Sequence, residues 1–337
     1  MPGGWSNLLN PMFKLKPIDD QRQWEKFLLS SEQVNFLQSW QWGKMHQSLG
    51  QAVWRYGIYK EKTLIGILQL IKVKAKRATY LECPGGPIID WNSPIVPWLF
   101  NQLKSLAKDS GASFIRIRPN ILPQDLGLRK APMHLHAETT WILPLEPSEE
   151  TLLKNMRKTT RYLVKKAEKL GVKVSQSTDS RDIDLLYKLQ QETVGRKHFV
   201  PFSRDYFLAE LKSFLPDNIR VFKASYHGRP LAIAMIIFYG AEVVYHYSGS
   251  SNLHRDIPVS YLLQWEVIKT AKKRGFARYN FWGYTKNPKH RFYGPSLFKA
   301  GFGGREVEYL AAQDLVVSSA YWLNWLLETL RRKWRRL

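Results

Sequence analysis

One lysine of the sequence lies in a setting that suits a chemical role. Lys299 falls within the segment LFKAGFGG, where Phe298 precedes it and flexible glycine backbone follows. Lysine side chains are seldom buried unless they have a task. A fixed cation in such a place can stabilise negative charge that develops during a reaction. The alternative interpretation is a surface lysine at the end of a strand.

Two tyrosines form a second candidate group. Tyr245 and Tyr247 alternate in the run VVYHYSGSS, and alternate residues of a strand project from the same face of a sheet. The pattern predicts that both phenols line one surface, with His246 on the opposite face. Core packing would produce the same pattern, and His246 is more typical of a packed histidine than of a base.

A third candidate is a run of positive charge between Lys154 and Lys173. Its spacing predicts a helix with an apolar side formed by Met156, Leu163 and Ala167. Few acidic residues accompany the basic ones, which favours a face that contacts phosphate groups, although most charge runs are solvated surfaces. The basic residues of this face are Arg157, Lys158, Arg161, Lys165, Lys166 and Lys169.

The elements that must position these residues form a weak internal repeat. Segments 54–119 and 221–283 show the same order: three β-rich runs, a helical stretch with one apolar stripe, and a short final strand. Turns predicted at 60–62 and 227–229 are typical of hairpins. Both helical stretches end at a glycine, which suits a left-handed C-cap.

This order of elements is that of the GCN5-related N-acyltransferase (GNAT) fold. The sequence therefore predicts an α/β (α+β) protein with two tandem GNAT-like lobes, each a mixed sheet flanked by helices. The predicted boundaries are 1–145 for the first lobe and 146–312 for the second. A basic amphipathic helix, 313–337, is predicted to pack on the first lobe. A chance recurrence of one α/β order is the alternative.

Composition agrees with two packed lobes and indicates a polyanionic partner. The chain has 337 residues, of which 44% are hydrophobic, enough to build two cores. Lysine and arginine total 51 against 28 acidic residues, a formal charge of +23. Nucleic acid, anionic lipid and pyrophosphate-bearing metabolites all fit this charge, which does not rank them.

Cysteine content and hydropathy restrict the compartment. The single cysteine, Cys83, excludes an intramolecular disulfide and favours a reducing environment. The sequence has no charged leader with an apolar run and no apolar stretch of about eighteen residues, so neither secretion nor membrane spanning is expected. The predicted compartment is the cytoplasm. No residue cluster implies a metal or a redox cofactor.

The acyl donor is not expected to be coenzyme A. Acyltransferases of the GNAT type bind its pyrophosphate at a glycine-rich turn before a helix. The corresponding turns here are DWNSPIVP in the first copy and SSNLHRDIPVS in the second. Neither has glycines that let the backbone approach a phosphate, and Pro258 removes a donor. Aminoacyl-tRNA is a donor that would fit the positive charge.

Four segments resemble the FemABX family, whose members build peptidoglycan bridges or branches from aminoacyl-tRNA without a ribosome. They are QSWQWGKMHQSLG (38–50), ECPGGPIID (82–90), NMRKTTRYLVKKAEKLGVKV (155–174) and GPSLFKAGFGG (294–304). The resemblance implies two GNAT-like lobes, aminoacyl-tRNA as donor and a muropeptide as acceptor. The helical arm of some members is missing between Phe214 and Val221, so the chain resembles the compact branch.

The resemblance also implies catalytic roles. Lys299 matches the lysine that stabilises the oxyanion when an amine attacks the aminoacyl ester, and Phe298 matches its aromatic neighbour. Asp90 is similar in position to a carboxylate that binds the nucleophilic amine or accepts its proton. Tyr245 and Tyr247 match tyrosines that line the acceptor channel.

Further residues match positions that bind substrates in the family. Lys44, in a helix predicted at 40–49, resembles a lysine that binds the acceptor diphosphate. Arg204 is its candidate partner from the second lobe, with Arg196 as the alternative; Tyr206 follows Arg204 in PFSRDYF. The acceptor-loop glycines and the residues assigned to tRNA binding are Gly85, Gly86, Arg157, Lys158, Arg161, Lys165 and Lys166.

Several alternatives remain open at this stage. A tRNA-dependent transferase acting on phosphatidylglycerol, or a non-catalytic RNA-binding protein on the same scaffold, would share much of the pattern. The acceptor could be lipid-linked (lipid II) or the nucleotide-linked muramyl pentapeptide. The tail LNWLLETLRRKWRRL is typical of an interfacial helix, which would allow peripheral contact with the inner, anionic face of the cytoplasmic membrane.

Overall fold

The computed structural model describes residues 12–75, 78–133, 136–197 and 202–335, without the side chains at 194, 196, 197, 333 and 335. These residues form two compact units. The first unit comprises the residues up to Glu138 together with those from Tyr309 onward. The second unit is Thr139–Glu308.

The first unit opens with a strand and two helices, followed by a meander of three strands, a helix and a returning strand. Its elements are β1 (Phe13–Pro17), α1 (Gln21–Leu29), a 3-10 turn (Phe36–Gln38), α2 (Trp40–Ser48), β2 (Val53–Lys60), β3 (Thr63–Lys74), β4 (Thr79–Gly85), α3 (Ile95–Asp109), β5 (Phe114–Pro119) and β6 (Arg129–Lys130).

The second unit repeats this order after an additional strand and two helices. Its elements are β7 (Thr139–Pro144), α4 (Glu149–Asn155), α5 (Lys158–Lys169), β8 (Lys173–Ser177), α6 (Asp182–Lys197), α7 (Arg204–Phe214), β9 (Ile219–Tyr226), β10 (Arg229–Tyr239), β11 (Glu242–Ser250), α8 (Val259–Lys273), β12 (Arg278–Gly283), α9 (Tyr293–Ala300) and β13 (Arg305–Glu308).

The chain then returns to the first unit with β14 (Gln313–Val316) and α10 (Ala320–Arg335). Each unit contains a seven-stranded mixed sheet, in the order β1-β2-β3-β4-β5-β14-β6 or β13-β7-β12-β11-β10-β9-β8. The parallel pairs are β4 with β5 and β11 with β12. The predicted fold class, with two tandem lobes of mixed sheet flanked by helices, is confirmed.

Local signals in the sequence explain the matched elements. The β9–β10 hairpin closes through His227 and Gly228 with φ values of 47° and 75°, the backbone that a two-residue turn between twisted strands requires. After α3 and α8, Gly111 and Gly275 adopt φ values of 70° and 80°. These are left-handed C-cap positions, where glycine carries no steric penalty.

The unit boundaries differ from the predicted ones. The sequence placed them at 145/146 and 312/313, whereas the chain crosses between units at 138/139 and 308/309. The reason is strand pairing: β7 lies between β12 and β13 in the second sheet. Nothing in the local sequence of β7 indicates which sheet it joins.

The last segment of the chain completes the first unit. Arg116 of β5 donates from Nε and Nη2 to the two carboxylate oxygens of Asp314 in β14, at 2.8 and 2.9 Å. Tyr321 of α10 packs edge-on against Phe114, with 5.3 Å between ring centroids. The helix α10 therefore packs on the first unit. No helix among the described residues is long and apolar enough to cross a membrane.

Candidate active site

Lys299 lies on α9, in the second unit, and not at the end of a strand. Its Nζ donates a hydrogen bond to the backbone carbonyl of Gly283, at 2.5 Å. The side chain is partly buried, and burial lowers the pKa of Lys299 to about 8. An ammonium group with this pKa is mostly charged at neutral pH and can also release its proton readily. The retained positive charge is the property that stabilises an oxyanion.

The neighbouring aromatic residue anchors α9. The Phe298 ring packs edge-on against Tyr261 of α8 and Phe302, with centroid distances of 4.9 and 5.3 Å. Phe302 is fully buried in the core of the second unit. Phe298, predicted as part of the catalytic group, therefore holds the backbone that carries Lys299.

The C-terminal end of α9 meets the N-terminal end of α5. The Arg157 backbone N–H donates to the Gly301 carbonyl at 2.9 Å, and its guanidinium donates to the Leu297 carbonyl at 3.2 Å. A side chain at Gly301 would collide with the Thr160 hydroxyl. The two helices approach this closely because position 301 is glycine.

This contact breaks the helix that was predicted across residues 154–173. Met156 and Arg157 have extended ψ values of 148° and 139°, so that α4 ends before them and α5 starts after them. The buried side of α5 consists of Thr160, Val164 and Ala167, not Leu163. The predicted single helix was wrong because tertiary contacts at Arg157 override its helical periodicity.

The five residues assigned to tRNA binding divide into two groups. Arg157 and Arg161 donate to carbonyl groups at the ends of α9 and α4, and Lys166 donates to the Asp256 carbonyl at 3.4 Å. Lys158 and Lys165 are exposed and form no hydrogen bond or ion pair with described residues. These two ammonium groups are the most available to a phosphate ligand.

The two tyrosines of β11 do not share a face of the sheet, contrary to the prediction. Tyr247 lies opposite Met235 and Tyr245 lies opposite Ile236, so that His246 is the inserted residue of a β-bulge. Tyr245 hydrogen-bonds to Gln264 of α8 and packs on the core beneath that helix. The bulge turns Tyr247 to the side that carries α7.

An aromatic cluster surrounds Tyr247 at the start of α7. Its ring centroid lies 5.0 Å from Phe207, 5.3 Å from Phe202 and 6.3 Å from Tyr206. The hydroxyl groups of Tyr206 and Tyr247 are hydrogen-bonded, and burial raises the pKa of Tyr247. The Tyr247 phenol therefore stays neutral near physiological pH and acts as a hydrogen-bonding group.

Arg204 begins α7 beside this cluster. Its Nε donates to Asp184 of α6 at 2.5 Å, and its side chain is about half exposed. An anionic ligand would compete with Asp184 for the guanidinium. Arg196 lies in the last turn of α6, but its side chain is outside the described part of the structure.

A buried pair connects the tyrosine cluster to Lys299. His246 Nδ1 lies 2.7 Å from Glu210 Oε1 of α7, and both side chains are almost fully buried. The His246 ring contacts Tyr247 at 4.0 Å and Trp282 at 5.5 Å. Trp282 precedes Gly283, the acceptor for Lys299. A continuous series of contacts therefore runs from α7 to the lysine.

The backbone at Trp282 has an unusual conformation. Its φ is 62°, a left-handed value that is rare for a bulky residue. The Trp282 N–H donates to the Asn280 side chain at 2.8 Å. Residues in such conformations often lie at functional sites because the surrounding structure must hold them there. This conformation directs the Gly283 carbonyl to Lys299.

In the first unit, Lys44 and Asp90 are both exposed. Lys44 projects from α2, where Nζ donates to Gln21 Oε1 at 3.3 Å. Asp90 Oδ1 accepts from the Asn92 N–H at 3.0 Å and forms a turn before α3. Exposed positions leave both groups available to ligands.

The two glycines of the PGGP turn are buried. The Asn35 amide donates to the Gly85 carbonyl and Gln38 donates to the Pro84 carbonyl, both at 2.8 Å. A side chain at Gly85 would collide with Asn35, and one at Gly86 with Gln38. These glycines were assigned to substrate binding; the described contacts explain them by close packing of the loop.

Metal coordination is not indicated by the described side chains. No group of three or more His, Cys, Asp or Glu residues among them is placed to hold a metal ion. Cys83 is buried, and burial raises the pKa of its thiol.

Comparisons with known proteins give a family match in each unit. The family model described as the FemAB family matches residues 20–145, and that described as an acetyltransferase (GNAT) domain matches residues 154–291. The aminoacyltransferase FemA of Staphylococcus aureus is 37% identical over 90 residues, which cover 25% of this chain and 21% of FemA. The matched segment spans about a fifth of that relative's length.

A solved structure of FemX shares the fold of both units. It covers 94% of this chain and 100% of the FemX chain, with a TM-score of 0.79 at 18% identity. Residues 20–145 thus match the FemAB family, and the fold of both units is that of FemX. A tandem GNAT protein from the clavulanic acid biosynthesis pathway shares this fold, with a TM-score of 0.56 at 11% identity, covering 90% of this chain and 97% of that chain.

Sequence reasoning missed two residues in the series of contacts that reaches Lys299. Glu210 lies on the buried face of α7 with Phe207, Leu211 and Phe214, and an acid within such an apolar stripe is a signal for a buried partner. Trp282 gave no signal, because its backbone conformation depends on the irregular pairing of β12 with β7.

Proposed function

We propose that the protein transfers an amino acid from aminoacyl-tRNA to an amine of a peptidoglycan-precursor stem peptide. The observation that carries this proposal is the position of Lys299. Its ammonium group is partly buried, hydrogen-bonded to a carbonyl group and located on α9, whose end contacts the basic helix α5. A donor bound along α5 could present its aminoacyl end to Lys299.

The chemistry is an acyl transfer from oxygen to nitrogen. The neutral amine attacks the ester carbonyl, a C–N bond forms, and the C–O bond to the terminal ribose breaks. The amine loses a proton and the leaving hydroxyl gains one. The Lys299 cation would stabilise the oxyanion of the intermediate, a contribution of roughly 10²–10³-fold in rate for one such donor. Its pKa of about 8 also suits donation of a proton to the leaving oxygen.

The tRNA would be bound mainly through its phosphates. Lys158 and Lys165 project from α5 into solvent, and the chain has an excess of 23 positive charges. Backbone contacts of this kind make affinity fall steeply with salt. Donation by aminoacyl-tRNA would place the reaction in the cytoplasm, where tRNA is charged, and would require no coenzyme A.

The acceptor would be recognised by cations and aromatic side chains. In the second unit, the exposed Arg204 lies beside the partly buried pair Tyr206 and Tyr247. Together they form a surface suited to a phosphate or a sugar-peptide group. In the first unit, Lys44 is an exposed cation, and Asp90 is an exposed carboxylate that could bind an amine. The family resemblance supports these assignments.

The test uses purified protein, tRNA charged with radiolabelled amino acids, and three acceptors in parallel. These are nucleotide-linked muramyl pentapeptide, the lipid-linked precursor and phosphatidylglycerol vesicles. Label on either muramyl peptide supports the proposal and identifies the acceptor. Label on phosphatidylglycerol alone, or tRNA binding without transfer to any acceptor, would refute it.

A further inference from the structure

The C-terminal helix α10 packs one face on the first unit and presents an apolar stripe to solvent. The inward face carries Tyr321, Asn324 and Glu328, which are buried or partly buried. The outward face carries Leu323, Leu326, Leu330 and Trp334, whose exposed fractions are 62%, 50%, 54% and 83%. Their spacing of three and four residues forms one continuous stripe along the helix.

A buried polar network fixes this orientation. Glu328 Oε2 accepts from Arg116 Nη2 at 2.8 Å. The Tyr321 hydroxyl donates to Asp314 at 3.2 Å, and Asp314 itself pairs with Arg116. If α10 rotated to bury its leucines, Arg116 would lose its bond to Glu328 and Asp314 would lose its bond to Tyr321. Buried charges that lose a partner destabilise a protein strongly. The leucine stripe is therefore held outward.

Contiguous exposed apolar residues on a folded unit are typical of docking faces. Its surroundings are basic. Arg331 and Arg332 are exposed on α10, and Arg129 and Lys130 of β6 are exposed nearby; the Arg129 guanidinium stacks on the Trp322 ring at 4.8 Å. The one acidic residue in the sequence of α10, Glu328, points inward.

Charge decides which occupant fits. A second copy of the chain would bring arginines and lysines against their equivalents, which is unfavourable without acids to compensate them. An anionic lipid surface offers an apolar interior beside negative headgroups. Trp322 and Trp334 lie near the two ends of the helix, and tryptophan favours the membrane interface.

We propose that α10 docks parallel to an anionic membrane surface, with Leu323, Leu326, Leu330 and Trp334 inserted among the lipids and the flanking cations bound to headgroups. This docking does not depend on the proposed reaction. With a lipid-linked acceptor, it would place enzyme and acceptor on the same surface.

The test is co-sedimentation of the full chain with vesicles of phosphatidylcholine alone or mixed with phosphatidylglycerol. Wild-type protein is expected to bind the anionic vesicles, and a variant with Leu323→Ser, Leu326→Ser, Leu330→Ser and Trp334→Ser to lose at least about tenfold in affinity. A matched control replaces exposed leucines elsewhere, Leu122→Ser with Leu253→Ser, and should bind as wild type. Circular dichroism verifies the fold of each variant.

A charge variant separates the two contributions. Lys130→Gln with Arg331→Gln should weaken binding and reduce its dependence on salt, because fewer headgroup contacts remain. The proposal would be overturned if the wild-type protein does not bind anionic vesicles, or if the quadruple serine variant binds them as well as the wild type does. If instead the wild type does not bind vesicles but forms a dimer in sedimentation, and the quadruple variant is monomeric, the face would be assigned to a second copy of the chain.

Discussion

Lys299 donates its hydrogen bond to the backbone carbonyl of Gly283 at 2.5 Å, and not to a carboxylate. Burial is the cause that lowers its pKa, and no acidic side chain among the described residues counteracts it. The lysine is thus positioned by neutral backbone while its charge remains unneutralised. A cation in this state can interact with negative charge that appears on a substrate.

Replacement of Lys299 by methionine should remove catalysis while preserving the fold. The expected loss in kcat is roughly 10²–10³-fold with little change in KM, because the interaction forms in the transition state. Single-turnover transfer from labelled aminoacyl-tRNA measures it. Thermal unfolding monitored by circular dichroism is the control, and a folded Lys299→Met variant with wild-type kcat would contradict the assignment.

The pH profile should report the same residue. Since the pKa of Lys299 is about 8, its cation is lost as pH rises through 8, and kcat should decrease on that alkaline limb. Lys299→Arg keeps its charge at every accessible pH, so any activity it retains should lack this limb. Spontaneous ester hydrolysis must be subtracted at each pH. A descending limb at the same pH in both proteins would exclude Lys299 as its origin.

The buried Glu210–His246 pair should affect Lys299 through Trp282. Glu210→Ala leaves a buried imidazole without its carboxylate, at an expected cost of about 1–3 kcal/mol in the free energy of unfolding. Because the His246 ring contacts Trp282, which precedes Gly283, kcat should fall more than KM rises. Glu210→Gln retains an oxygen acceptor and should restore kcat substantially. If the Glu210→Ala variant is less stable but keeps the wild-type kcat, the pair contributes to folding and not to catalysis.

The contact between α5 and α9 depends on the absence of a side chain at Gly301. Gly301→Ala would press a methyl group onto the Thr160 hydroxyl, and overpacking of this type costs about 1–3 kcal/mol. The double variant with Thr160→Ala should recover much of that stability. The matched control is Gly195→Ala in α6, where a Cβ has open space and no destabilisation is expected. Urea denaturation of the wild type and these three variants measures the free energy of unfolding.

Phosphate contacts on α5 should appear in the salt dependence of tRNA binding. Lys158→Gln and Lys165→Gln should each weaken binding and lower the slope of log affinity against log salt by about 1. Lys104→Gln, on the exposed side of α3, changes net charge equally and serves as the control. An equal effect of all three would show that overall charge, and not the α5 face, attracts the tRNA.

Patterns confined to a few neighbouring residues were sufficient to predict the duplicated core. The hairpin at His227 and Gly228 and the C-caps at Gly111 and Gly275 are set by backbone conformations that the local residues favour. The alternation of strands and amphipathic helices predicted two lobes of mixed sheet, which the structure and the family matches confirm.

Features that depend on distant partners were predicted incorrectly. Residues 154–173 were predicted as one helix, but the Arg157 N–H bonds to Gly301, more than a hundred residues away. The shared face predicted for Tyr245 and Tyr247 failed because the bulge at His246 depends on the register with β10. A local pattern contains no information about either partner.

The sequence by itself determined the fold class, the basic character and the segments that carry Lys299 and the α5 cations, because local propensity and composition are properties of neighbouring residues. Only the tertiary structure decided how these groups meet. The bond from Lys299 to Gly283, the Glu210–His246 pair and the outward leucines of α10 each depend on contacts between residues far apart in the chain. Such contacts form only when strand register and helix packing have been established.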